Sequence, residues 1–152
     1  MKKLLLMLLI NGFILGADAA DHIMKVPDEL KWTEGPKSLP EGAQVTVIEG
    51  DPAKKGPFTL RLKLPADYTI MPHWHPAIEH VTVIEGEFYM GAGEKLDKSK
   101  AHLLPEGGFA VMPVKFNHFA FTANQPSIIQ LHGIGPWEIN YVNSEDDPRK
   151  KD

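Results

Sequence analysis

No cysteine occurs among the 152 residues, so no disulfide can staple the fold and a packed core must hold it together. The same absence excludes a lipid attached to an N-terminal cysteine. Clustered basic charge is lacking as well. The 16 Lys and Arg face 20 Asp and Glu, for a formal net charge of −4, which argues against nucleic acid as a partner, because a phosphate backbone demands grouped cations. No apolar run is long and unbroken enough to span a hydrocarbon core of roughly 30 Å as a helix. Helical periodicity is never sustained over three turns, "EKLDKSKAH" offering one turn at most, and there are no internal repeats or low-complexity segments.

What is present begins with "MKKLLLMLLINGFILGADAA": two lysines, an apolar run from Leu4 to Leu15 interrupted at Asn11 and Gly12, then Ala17-Asp18-Ala19. This is the pattern of a secretory signal peptide, residues 1–19, cleaved after Ala19. There is no twin-arginine pair, so export as an unfolded chain by the Sec-type route is expected. The destination is the periplasm or the exterior, with no membrane anchor after cleavage and with any metal acquired there. Removing Lys2, Lys3 and Asp18 leaves 14 basic against 19 acidic residues, a charge of −5. The mature chain would start Ala20-Asp21-His22. A free amine with His22 in third place can wrap Cu(II) or Ni(II) in a square-planar nitrogen set, and coincidence is the competing reading.

From Gln44 onward, "QVTVIEG", "PFTLRLKLP", "HVTVIEGEFYMG", "GFAVMP", "HFAFT", "SIIQLHG" and "WEINYV" alternate with Gly and Pro punctuation. Short runs rich in Val, Ile, Thr and Phe at such spacing predict a single all-β domain, sandwich or barrel. The expected organisation is an N-terminal arm over 20–43 that packs Trp32, a β domain over 44–142, and a polar, solvated C-terminal tail over 143–152.

The stretch "PHWHPAIEH" places His73, His75, Glu79 and His80 within nine positions. On a strand, residues two apart share a face, so His73 and His75 present both imidazoles together and Trp74 turns away. Neutral imidazole and carboxylate together suit first-row divalent metals and can leave coordination positions free. A pair of lone surface histidines is the bland alternative.

"HWHPAIEHVTVIEG" resembles the first motif of the cupin superfamily: HxH, Glu after three residues and Gly after six more, at His73, His75, Glu79 and Gly86. "GFAVMPVKFNHFAFT" resembles the second motif, with five residues between Gly107 and Pro113 and the motif histidine at His118. Two departures stand out: Lys115 where that motif usually has Gly, and Thr122 where it usually has Asn. The resemblance, to a small single-domain exported bacterial cupin, implies a jelly-roll β-barrel whose mouth carries one divalent metal on His73, His75, Glu79 and His118. The ion could be Mn, Fe, Ni, Cu or Zn.

Around that set, His80 is expected to point away as a hydrogen-bonded structural histidine behind the ligands. Gln130 and His132 share one face of "SIIQLHG". If that face is the interior, His132 is the candidate proton-transfer residue and Gln130 supports it; a histidine at the rim is the alternative. Phe119 and Phe121 should face away from the metal, under the arm or a partner subunit, since cupins are often homodimers. The implied function is a metal-dependent enzyme, dioxygenase-like or isomerase- or lyase-like, acting on a small oxygen-bearing organic molecule. The alternative is a non-catalytic small-molecule or metal-binding module, because fold alone does not decide between them.

Overall fold

A computed structural model describes residues 22–151. The stretch 1–19, Ala20 and Asp21 lie outside the described residues, and His22 is exposed at their start. Eleven strands follow in order: β1 (Thr33–Glu34), β2 (Gln44–Glu49), β3 (Gly56–Leu64), β4 (Thr69–Trp74), β5 (Glu79–Glu85), β6 (Phe88–Ala92), β7 (His102–Leu104), β8 (Phe109–Met112), β9 (His118–Phe121), β10 (Ser127–Gly135) and β11 (Asn140–Tyr141). They form a six-stranded sheet, β1-β2-β3-β10-β5-β8, and a five-stranded sheet, β11-β4-β9-β6-β7. Every pairing is antiparallel.

Alternation decides which side of each strand is buried. In β3, Phe58, Leu60, Leu62 and Leu64 are buried while Thr59, Arg61 and Lys63 are partly exposed. β5 buries Val81 and Val83, and β10 buries Ile129 and Leu131. From the other sheet come Ile70, Phe88, Met90 and Ala120, and all of these join one apolar cluster. Two antiparallel sheets with a shared core make the jelly-roll arrangement expected of the sequence. Gly86 shows how tightly the turns are made. Its φ is +79°, and a Cβ there would lie 2.4 Å from the carbonyl oxygen of Pro126, so glycine is needed on both counts.

Strand β4 departs from simple alternation. Ile70 pairs with Ala120 and His73 with His118, so Met71 and Pro72 together oppose the single residue Phe119. This is a β-bulge, and Pro72 suits it because it has no N–H to give to a ladder. The extra residue switches the parity of the strand. Ile70 and His73, three apart, both face the core.

Two expectations need correction. Residues 143–151 are not a free solvated tail. They fold as short 3-10 turns at Ser144–Asp146 and Pro148–Lys150, with Asp147 buried and 2.8 Å from Arg149 Nε, and Arg149 also donates to the carbonyl of Ile139. A charged pair with a backbone acceptor holds down a segment that composition alone reads as solvated. Phe121 does lie on the face opposite the core, but it is stacked on Tyr89 at 4.9 Å with the ammonium of Lys98 over its ring. Within the chain a neighbouring strand and the Lys98 turn supply its partners, where the arm or a partner subunit was expected. The arm does carry Trp32, which packs beneath Lys63 Nζ at 4.6 Å.

Candidate metal centre

His73 ends the bulged part of β4, His75 follows that strand, Glu79 opens β5 and His118 opens β9. All four are almost fully buried, at 2% to 5% exposure for the first three and 1% for His118. Their rings converge: centroids lie 5.0 Å apart for His73 and His75, 4.2 Å for His73 and His118, and 5.2 Å for His75 and His118. One ring nitrogen from each histidine falls within 4.8 Å of the other two.

The second nitrogen of each ring is anchored to the main chain. Nδ1 of His73 is 2.7 Å from the carbonyl of Met71, Nδ1 of His75 is 2.7 Å from the carbonyl of Glu138, and Nδ1 of His118 is 2.8 Å from the carbonyl of Phe116. A carbonyl only accepts, so each Nδ1–H donates, and in the neutral ring this leaves the lone pair on Nε2. That is the tautomer a metal needs. Nε2 of His75 and of His118 are buried and have no hydrogen-bond partner, a cost a fold rarely bears without a reason. Glu79 completes the cluster, with one carboxylate oxygen 3.4 Å from His75 Nε2 and the other 3.4 Å from His118 Nε2. Donors bonded to one ion at about 2.1 Å and at right angles sit about 3 Å apart, so this spacing is close to that of a ligand shell. Three imidazoles and a carboxylate fit a first-row divalent ion.

Electrostatics agree with that use. Burial, reinforced by His118 and His75, lowers the His73 pKa to about 3, so this ring stays neutral and able to ligate. Burial works to raise the Glu79 pKa, yet the adjoining His75 and His118 outweigh it and hold the carboxyl well below its ordinary range. The carboxylate is therefore charged.

A cavity of ≈60 Å³ opens onto this cluster. Its walls are mostly apolar, with Leu60, Leu131 and Ile139 among them, and Trp137 stacks on His75 at 4.5 Å. Pro36, Ser38 and Leu39 close it from the arm. The arm is tied down by Tyr141, whose hydroxyl donates to the Ser38 carbonyl at 2.7 Å, and by Tyr68, whose hydroxyl donates to the Pro40 carbonyl.

His132 and Gln130 are not part of this site. Leu131 and Ile129 take the inward positions of β10, so their neighbours face outward. His132 lies across from His80, the two rings parallel at 4.6 Å. Gln130 accepts from Arg61 Nε at 3.1 Å. The alternation in "SIIQLHG" is real, and its apolar set occupies the interior. His80 points away from Glu79 as expected, with its Nδ1 3.3 Å from the His132 carbonyl. Sequence reasoning missed the bulge, the Glu138 carbonyl behind His75, Trp137 and the arm residues over the cavity. Pro72 was the available signal for the first.

The two motif departures keep the local geometry. Lys115 adopts φ +58°, the conformation for which glycine is favoured there, and its N–H donates to the His75 carbonyl at 2.9 Å. Thr122 is buried. Its hydroxyl accepts from the Tyr68 N–H at 2.9 Å and donates to the Pro65 carbonyl at 2.6 Å.

No protein-family model matches the chain, and no curated protein matches it. Solved structures do. The polyketide cyclase RemF from Streptomyces resistomycificus superposes with a TM-score of 0.66 at 14% identity, over 85% of this chain and 92% of that one. A cupin 2 conserved barrel domain protein from Rhodopseudomonas palustris gives 0.61 at 9% identity, over 80% and 86%. The DMSP lyase DddQ from Ruegeria pomeroyi gives 0.56 at 17% identity, over 70% of this chain and 57% of that one. With two facing sheets, a histidine cluster between them and these structural neighbours, the chain has the cupin fold.

Proposed function

We propose that this protein is an exported, metal-dependent enzyme acting on a small oxygen-bearing organic molecule. One divalent transition ion, Mn, Fe, Ni, Cu or Zn, is held by His73, His75, Glu79 and His118. The observation that carries this reading is the pair of buried, partnerless Nε2 atoms on His75 and His118, beside Glu79. Export rests on the signal-like segment 1–19, and N-terminal copper on His22 depends on cleavage after Ala19.

When bound, such an ion polarises a ligand oxygen or lowers the pKa of a water. The chain supplies the rest. Backbone carbonyls fix the three imidazoles in the ligating tautomer, Glu79 lowers the net charge of the site, apolar walls exclude bulk water, and the 36–39 segment covers the cavity. A polyketide cyclase and a DMSP lyase are among the proteins sharing the fold, so the scaffold is compatible with catalysis, although fold alone does not decide it.

One observation favours the second reading, a non-catalytic binding module. Among the described residues lining the cavity, no acid or base exists apart from the four ligands, His132 being on the outer face. Elemental analysis of protein from its native compartment should find one metal per chain in the barrel. The Mn, Fe, Ni, Cu and Zn forms are then screened against enediols, phenols and β-diketones by oxygen uptake and product mass, with turnover expected in one of them. Unchanged metal binding after replacing His73, His75 and His118 together, in a chain lacking residues 1–22, overturns the metal centre; tight ligand binding without turnover in every form establishes the binding module.

A further inference from the structure

The charge of the cavity limits what can occupy it. With the three histidines ligating as neutral imidazoles, Glu79 is the only formally charged residue among the described residues that line it. Among the described residues, no lysine, arginine or aspartate lines that wall. A divalent ion brings +2 and Glu79 brings −1, so the assembled centre carries +1 in surroundings built from leucine, isoleucine, valine and phenylalanine. A charge left unpaired there is costly. One negative charge on a ligand cancels it. A second would find no cation, a neutral ligand would leave the site charged, and a cationic one would double the excess.

Resting on the metal-centre reading above, we propose that the ligand of this cavity is a small monoanion, a carboxylate or an enolate, whose charged oxygen faces His73, His75, Glu79 and His118 and whose carbon chain lies along the apolar wall. A volume of ≈60 Å³ admits only a few heavy atoms beyond the ion. Two uncommitted polar groups remain on the wall. The indole N–H of Trp137 is buried without a partner, and Ser38 lines the cavity from the arm. Both are neutral, so they can add a hydrogen bond for an acceptor oxygen without changing the charge count.

The test uses the full mature chain loaded with Zn2+, with metal content measured before and after each calorimetric titration. Propanoate, its neutral counterpart propanamide, the dianion malonate and the cation propylammonium are the probes. Propanoate should bind at least about tenfold tighter than each of the others, the least that one uncompensated unit charge is worth in a partly buried site. Ser38→Lys adds a cation to the wall away from the ligands and should erase or reverse the preference over malonate, with circular dichroism checking the fold. Malonate or propanamide binding the unmodified protein as tightly as propanoate overturns the inference, as does the absence of any binding to fully loaded protein; these wild-type results decide even if the variant does not fold. Failure to retain metal at all overturns the metal centre instead, and the charge count falls with it.

Discussion

The metal-free protein should be acid-labile well above the usual carboxylate range, and His73 is the reason. Its pKa falls from 6.5 to about 3 because burial and the neighbouring His118 and His75 penalise the imidazolium. In the unfolded chain the same ring takes up a proton near pH 6.5. Between these values the unfolded state binds one proton that the folded state refuses, so stability is fully present above pH 6.5 and is lost as the pH falls toward 3. The slope is about 1.4 kcal/mol per pH unit, which integrates to about 2.5 kcal/mol between pH 7 and pH 4.5 for this side chain alone. That is a substantial share of the ~5–15 kcal/mol typical of a domain. Urea unfolding of chelator-treated protein at the two pH values measures it, with His73→Phe as the comparison, since that ring fills similar space and does not titrate. The variant should lose about 2.5 kcal/mol less than the parent over the interval. Equal losses in both proteins would refute the assignment of the effect to His73.

Thr122→Val keeps the shape and removes the hydroxyl that joins the Tyr68 N–H to the Pro65 carbonyl. Two buried backbone groups lose their side-chain partner, so a loss of about 2–4 kcal/mol is expected in chemical denaturation with little change in metal affinity. Gly91→Ala should cost about 1–3 kcal/mol by overpacking, because the new Cβ would sit 2.2 Å from Cζ of the fully buried Phe119; a second-site Phe119→Leu change should recover part of the lost melting temperature.

Much of the fold was legible because burial and alternation coincide. "PFTLRLKLP" buries every second residue, and β3 follows from that pattern. The strands β1 and β7 were not read, since two and three residues with no apolar alternation carry no period, and β4 was read only around His73 and His75 because the bulge breaks its period. His73, His75 and Glu79 were legible from residue type and spacing; what brought His118 to them was the motif resemblance. The role of His132 was not legible. Alternation puts Gln130 and His132 on a common side, but only the packing of Ile129 and Leu131 between the sheets says which side that is. The anchoring of His75 by Glu138 joins residues 63 apart through a backbone atom, and side-chain identity holds no signal for such a contact.

The bulge at Met71 and Pro72 makes the count of residues in β4 matter more than their identity. Replacing Met71 by another side chain leaves its carbonyl in place for His73, because main chain is common to all residues. Deleting it would leave Pro72 alone opposite Phe119 and return the strand to regular pairing with His73 still facing inward, but it would remove the carbonyl that anchors Nδ1 of that imidazole. Among related sequences of this fold, this strand should therefore drift freely in spelling and hardly at all in length.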